Sequence, residues 1–425
     1  MAISRNLPGN TRSAATDPFT ALKQANAYAD AGNLDAAHGL YVQAERGFAR
    51  AGDLRNMYYA RFGRLRKEVE TGSYKANLER LEADLNAPTV KSDPTLQIRG
   101  LAIKGQIDMN LNTSDARRDW EEVAQRASQI GNPKWTNRAS GELGLVAGVG
   151  GDYATALPAL LKAMKTAQAL HDLGGEIHFR TFLGNGMVTV DHAEDALSIF
   201  QSAIESARKN PASGYPILPV IGKVRALVAV KRWDEARGLF AEALGYARQH
   251  EILGAQTELL VQSGLISLDS NDFASAEASF HEAAATAQKA SLPRMSAAAD
   301  SGLIDVYEAQ RDWTAAEGAA NAALEALRTA EEIYNLPQYL AKKAEIEAHR
   351  GRLAEADQLY DQATDIVEGM LVNMPSSLVK TSLIGAMSRI YAGHFRLAIE
   401  HFHDTAKGFA ILEQARGRGL ADLLR

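Results

Sequence analysis

Alanine recurs at a fixed interval along the chain. Ala156, Ala196, Ala236, Ala276, Ala316 and Ala356 lie forty residues apart, and Ala116 extends the series backwards. Ala37 joins it with one residue of slip, and Asn77 is the weak member. Four residues after each marker stands a large apolar residue: Tyr41, Leu81, Trp120, Leu160, Phe200, Phe240, Phe280 and Tyr360, with Ala320 the small exception. Seven residues after it comes a second small one: Ala44, Ala163, Ala203, Ala243, Ala283, Ala323 and Ala363, with Asp84 and Val123 as exceptions. Leu34, Tyr153, Trp233, Phe273, Trp313 and Leu353 precede their markers by three. Offsets of three, four and seven fall on one face of a helix, and a fixed period is the mark of a repeat fold. The small residues predict sites where two helix axes approach closely, and the large residue between them is the knob that fills the adjoining space.

Turn chemistry divides each repeat into two helices. Gly32-Asn33, Gly72-Ser73, Gly151-Asp152, Asn271-Asp272 and Gly351-Arg352 sit just before a second helix, where Gly ends one helix and Asn, Asp or Ser caps the next. Pro94, Pro133, Pro293, Pro337 and Pro375 fit the first turn of a first helix, with Asp93 and Asn132 as N-caps. Pro158 falls inside a second helix, and Asn210 to Pro219 is the least regular connection. The reading is an all-α solenoid of about ten helix-turn-helix repeats over residues 17–375. Residues 1–16 form a disordered tail without the apolar centre of a signal peptide. Residues 376–425 break the period as a long helical pair.

The pattern Ala-x3-Phe/Tyr-x2-Ala after a short turn resembles the second helix of a tetratricopeptide repeat (TPR). Gly144, Gly184 and Gly264 supply the small first-helix residue that this family favours, whereas Val224 and Ile304 depart from it. The period also exceeds the family's usual length of about 34 residues, which implies longer helices. The resemblance implies a right-handed α-solenoid whose first helices line a concave groove. The last helix, Lys407 to Leu424, carries Phe409, Glu413, Arg416, Arg418, Asp422 and Leu423-Leu424. It looks like the junction between TPR arrays and CHAT domains, the caspase-like peptidase modules that follow such arrays. That resemblance implies a peptidase domain in cis beyond Arg425, with this chain as its non-catalytic regulatory arm. On the last helix, Phe409, Leu412, Ala415 and Leu423 share a face expected to pack back on the array, leaving Ile411, Leu420 and Leu424 as an uncovered patch. The alternative is a free-standing adaptor or sensor whose groove binds a peptide or small ligand.

Composition narrows the function. The 425 residues contain no cysteine, which removes disulfides, thiolate metal sites and a cysteine nucleophile. It also fits a reducing compartment, so the cytoplasm is the expected location. A net charge of −6 does not suit a nucleic-acid partner, and no apolar run is long enough for a membrane span. P-loop, dinucleotide, His-Glu-x-x-His and Gly-x-Ser-x-Gly patterns are absent, so no catalytic residues or cofactor are assigned. His394 and His401, seven residues apart with His403 nearby, lack a third ligand at metal spacing, and no metal is expected. The densest basic cluster is Arg61, Arg64, Arg66 and Lys67; it reads as a solvated helix face, with an anionic partner site as the sharper alternative.

The candidate binding residues are those that the register places on the groove. Positions eleven before a marker give Asn26, Arg66, Asn185, Arg225, Asp305 and Glu345, and nearby positions add Arg138, His178 and Glu308. The order is polar to basic first and acidic last. Two signs in one groove favour an extended peptide with an ordered charge pattern over a uniform polyanion.

Overall fold

A computed structural model describes residues 17–330, 332–372, 385 and 387–423, with side chains as far as residue 415. Ala37, Ala116, Ala156, Ala196, Ala236, Ala276, Ala316 and Ala356 are all buried in it, as are the knobs Tyr41, Trp120, Phe200, Phe280 and Tyr360. The forty-residue register is therefore the core register. It builds ten helix pairs among the described residues, without a strand. These are α1 (Pro18–Asp30) with α2 (Leu34–Ala51), and α3 (Leu54–Thr71) with α4 (Tyr74–Leu85) and the short α5 (Pro88–Lys91). Then come α6 (Pro94–Leu111) with α7 (Thr113–Gln129), α8 (Pro133–Val149) with α9 (Tyr153–Ala169), and α10 (Leu173–Thr189) with α11 (Ala193–Arg208). After them follow α12 (Ile217–Ala229) with α13 (Trp233–Gln249), α14 (Leu253–Asp269) with α15 (Phe273–Ala290), and α16 (Pro293–Gln310) with α17 (Trp313–Thr329). The last are α18 (Leu336–His349) with α19 (Leu353–Val372), and α20 (Ser388–Arg396) with α21 (Thr405–Leu423), joined through a π turn at Leu397–His401. No helix of the described residues is long and apolar enough to cross a membrane.

The helix ends follow from local chemistry. Asn33, Ser73, Asp152 and Asp272 each accept from the backbone N–H three residues on, as do Asp93 and Asn132. Pro94, Pro133, Pro293 and Pro337 stand in first turns, where a missing N–H costs nothing. Pro158 lies inside α9, while Pro375 and the tail 1–16 lie outside the described residues. The boundary at 375/376 likewise falls within the undescribed stretch 373–384.

The aromatic knobs Tyr41, Trp120, Phe200, Phe280 and Tyr360 each lie against glycine. Phe280 lies against Gly264 of α14 and Gly302 of α16, and Phe200 against Gly184 of α10 and Gly222 of α12. A Cβ at Gly222 or Gly302 would overlap the ring. This accounts for the apparent departures at Val224 and Ile304: the small residue stands two positions earlier and serves the knob of the preceding repeat.

The array winds tightly. Going along the chain, first helices touch in the order α1, α3, α6, α8, α10, and α10 returns to touch α1. Five first helices thus close an inner ring. The following repeats stack on it, with α14 against α3 and α16 against α6. Polar latches join the two turns. Asp35 accepts from Tyr246 Oη at 2.6 Å and pairs with His250 at 3.1 Å and with Lys67 at 2.8 Å. The hydroxyls of Ser73 and Ser291 lie 2.9 Å apart, and Tyr74 packs on the cluster of Leu253, Leu292 and Met295.

The last helix corrects one expectation. Ile411, not Phe409 and Leu412, packs back on the array: Ile411 is buried, whereas Phe409 is 64% and Leu412 37% exposed. Gly408, against Ile399 and Phe395, and Lys407, bound to Asp357, rotate α21 so that residues 407, 408, 411 and 415 face inward. Ala415 does pack inward as expected.

Candidate functional site: the inner faces of the first helices

The basic cluster on α3 separates into two populations. Arg61 binds Glu45 and Asp84 at 2.8 and 2.7 Å, Arg64 binds Glu45 at 2.7 Å and also Glu68, and Lys67 binds Asp35. These three hold helices together, which is neither the solvated face nor the partner site considered from sequence. Arg66 points elsewhere. It shares its surroundings with Arg99 of α6, Arg138 of α8 and, through the latter, His178 of α10. Asn26 of α1 borders the same group by accepting from Tyr41 Oη at 2.8 Å, and Arg99 in turn binds the Tyr41 hydroxyl.

One carboxylate enters this group. Glu142 of α8, 3% exposed, has Oε1 at 2.7 Å from Arg138 and 2.8 Å from the His178 ring. Both side chains converge on that single oxygen, close in distance but poorly aligned as hydrogen bonds. Burial pushes the Glu142 carboxyl up, but Arg138 and His178 outweigh it and hold it below the ordinary range. Burial and the neighbouring Arg138 push His178 down, so the imidazole is neutral near pH 7. Burial also lowers Arg66, and the like charges of Arg138 and Arg99 add to it. Among the described residues no carboxylate forms an ion pair with Arg66 or Arg99. Arg99 instead stacks on Tyr59 at 3.8 Å, with its Nε buried and unpartnered.

The remaining predicted residues form two further groups. Arg225 of α12 donates to the Asn185 carbonyl of α10 at 3.4 Å and stands 3.8 Å from Glu258 of α14. The Asn185 Oδ1 and Arg225 Nε atoms are buried and unpartnered, as is Gln262 Oε1 on α14. Asp305, Glu308 and Glu345 do come together across α16 and α18. Lys342 pairs with Asp305, and Arg396 stands 3.5 Å from Glu345. Glu308 is pushed up to about 7, first by burial and then by Asp305 and Glu345, against the opposing Lys342. The order from basic to acidic is present, but the acidic end carries its own counter-cations.

Counting back from the alanines misses Arg99. Arg138 and His178 lie eighteen residues before their markers, whereas Arg99 lies seventeen before Ala116, because the α6–α7 turn is Asn112 alone. The short turn was readable in Asn112, which follows Leu111 without a glycine. Glu142 and Tyr59 could not be told from solvated positions without knowing how tightly the ring closes. One possible ligand set appears near the end of the array: Asp357, Asp361 and His394 offer atoms within 4.8 Å of one another. Lys407 Nζ lies 2.6 Å from both oxygens of Asp357, so an ammonium already supplies the counter-charge there.

Solved structures with this fold are known. A Rap protein complexed with competence and sporulation factor matches at a TM-score of 0.61 and 13% identity, over 84% of this chain and 99% of that one. The chain is a TPR-like α-solenoid. A signal-transduction ATPase with a TPR sensor, from Pyrococcus horikoshii, matches at 0.49 and 13% identity, over 83% of this chain and 52% of that one. A TPR protein from Parabacteroides merdae matches at 0.36 and 15% identity, over 71% and 93%. No protein-family model and no curated protein sequence matches the chain.

Proposed function

We propose that this chain is a non-catalytic TPR-like scaffold that holds an extended peptide, or a peptide segment of a protein, along the inner faces of its first helices. The observation that carries the reading is the set of polar side chains there that the core does not use. Arg66 and Arg99 have no carboxylate partner, and Asn185 Oδ1, Arg225 Nε and Gln262 Oε1 are buried without a hydrogen bond. Buried polar atoms are normally satisfied, and a bound main chain offers donors and acceptors at regular spacing. That a Rap protein of similar fold is complexed with a competence and sporulation factor supports a binding role for the array. The test is a displayed peptide library. Enriched peptides should bind the parent and the outer-face variant Arg237→Ala equally, and bind Asn185→Ala/Arg225→Ala at least tenfold more weakly. Equal binding to all three proteins moves the site off the groove.

A second reading concerns what the scaffold regulates. Phe409 and Leu412 form an apolar outer face on α21, and exposed apolar surface of this kind marks an interface. We propose that a further folded unit, a CHAT-type peptidase in cis, rests there. Residues 405–415 should then gain hydrogen-exchange protection in a chain extended past Arg425. Unchanged protection removes the peptidase connection and leaves the free-standing sensor.

A further inference from the structure

The inner ring is built with more positive charge than it neutralises. Arg66, Arg99 and Arg138 come from three successive first helices, α3, α6 and α8. His178 is neutral, so Glu142 alone opposes three guanidiniums. Other carboxylates stand near Arg66 without cancelling it. Asp30 is solvated and lies 3.5 Å from Lys134, and Glu70 is paired with Lys67 at 3.4 Å. The excess is therefore about two positive charges, held where burial penalises them. An Arg presents five donors in a fixed fork, and a buried guanidinium without an acceptor is costly. Arg99 is under-satisfied: apart from its bond to the Tyr41 hydroxyl, its Nε is buried and unpartnered while its face is braced on Tyr59. Tyr41, fastened to Asn26, and the Phe179 ring 5.7 Å from Arg138 form the rigid surroundings.

We propose that this ring is a receptor for carboxylates, and that the partner of the groove is an acidic peptide anchored by Arg66 and Arg99 with Arg138 beside them. The inference deepens the peptide-binding reading and rests on it. Two guanidiniums from neighbouring helices can each take a carboxylate in the two-bond geometry that makes such pairs strong. The face at Asp305, Glu308 and Glu345 has its cations Lys342 and Arg396 already engaged by carboxylates, so the acidic residues of the ligand belong at the ring end. The partner is thus oriented by charge, with affinity that falls as salt rises.

The experiment uses the full chain and three probes: N-acetyl-tetraglutamate, N-acetyl-tetralysine and inorganic phosphate. Calorimetry at low salt should show binding of tetraglutamate only, weakening several-fold as salt is raised. Arg66→Gln/Arg99→Gln should bind it at least tenfold more weakly and, without ligand, melt at a higher temperature than the parent, because like charges have been removed. Arg66→Lys/Arg99→Lys keeps the charge, losing only the two-bond geometry; it should retain the parental melting temperature and bind with intermediate affinity. Equal tetraglutamate binding by the parent and the glutamine variant overturns the proposal. So does a lowered melting temperature of the ligand-free glutamine variant, which makes the arginines structural. Binding of phosphate without tetraglutamate also overturns it and makes the ring a small-anion site. Binding of tetraglutamate in a protein for which the peptide library yields nothing sinks the groove reading and leaves the ring standing.

Discussion

Arg66 in the inner ring and Asp305 and Glu345 on α16 and α18 stand at the same register of the repeat, yet the two regions handle charge in opposite ways. In the ring, three arginines face one carboxylate, and two of them have no ion-pair partner. On α16 and α18 the acidic side chains bring cations with them: Lys342 to Asp305 and Arg396 to Glu345. Only Glu308 is left over, and it responds by holding its proton more tightly. Position in the repeat therefore sets where a side chain points but not whether it is free to act. What separates the two regions is neutralisation from neighbouring helices, and only the ring is left short of it.

Removing the counter-charge from each region should give the largest contrast. Glu142→Gln leaves Arg138 with no carboxylate in a buried setting, and breaking such a pair costs about 3–5 kcal/mol. Lys342→Met performs the same operation at the acidic face, where the pair is partly exposed, and there the loss should be at most about 1 kcal/mol. Urea denaturation of both variants at neutral pH measures the difference. A Glu142→Gln protein as stable as the parent would mean that the ring does not concentrate charge, and the comparison would collapse.

The contrast was only partly legible beforehand. The fold was readable because burial acts on every repeat alike, so Ala236, Ala276 and Ala316 announce the core by recurrence. Glycine notches were half readable: Gly184 and Gly264 recur in register, but Gly222 and Gly302 serve the knob of the preceding repeat and stand at a different offset. The candidate residues Asn26, Arg66, Arg138 and His178 converge as the register implies. Their meaning was hidden, because it depends on α10 returning to α1, and curvature is set by the sum of many small packing angles rather than by any motif. The same limit explains Arg61, Arg64 and Lys67, three neighbours of Arg66 that sequence could not separate from it. It also explains α21, whose rotation is set by Gly408 and by the Lys407–Asp357 pair rather than by its own apolar pattern.

Protonation sharpens the comparison at the acidic end. The Glu308 carboxyl is raised from its ordinary value to about 7, with burial as the main cause. A group whose folded pKa is raised stabilises the fold while protonated, and that stability is lost as pH climbs from the unfolded pKa through the folded one. Between about pH 4.5 and 7 the parent should lose stability that Glu308→Gln, always neutral, retains. The variant should therefore match the parent at pH 4.5 and exceed it at pH 8, by roughly 1 kcal/mol after allowing for partial exposure. Asp300, raised to about 6 by burial alone, makes Asp300→Asn a second case with the same sign. Parallel stability curves for parent and Glu308→Gln from pH 4.5 to 8 would show that the acidic face is fully compensated after all.

The turns change along the array as well, and the smallest effect lies there. Turns of the early repeats place glycine in the left-handed conformation, at Gly32, Gly52, Gly131 and Gly151. The later repeats hold His171, Asp191, Lys231, Glu251, Asn271, Ser291 and Arg311 there, with φ between 52° and 66°, before Gly351 restores glycine. Gly151, Asp191, Lys231, Asn271, Arg311 and Gly351 stand at one register, forty residues apart, so the backbone demand is the same and only the side chain differs. A residue with a Cβ is disfavoured in that conformation by about 1–2 kcal/mol, while glycine loses more chain entropy on folding, roughly 0.5–1 kcal/mol. Arg311 is the cleanest test, since it makes no ion pair among the described residues and the turn lies just beyond the acidic face of α16. Arg311→Gly should stabilise the protein by about 0.5 kcal/mol. Gly151→Ala, at the same register in the first turn of the superhelix, should do the reverse and by more, because its Cβ would also meet the Tyr334 ring. Chemical denaturation of both variants side by side reads the two signs, and equal signs would show that the later turns relax their backbone in a way the earlier ones do not.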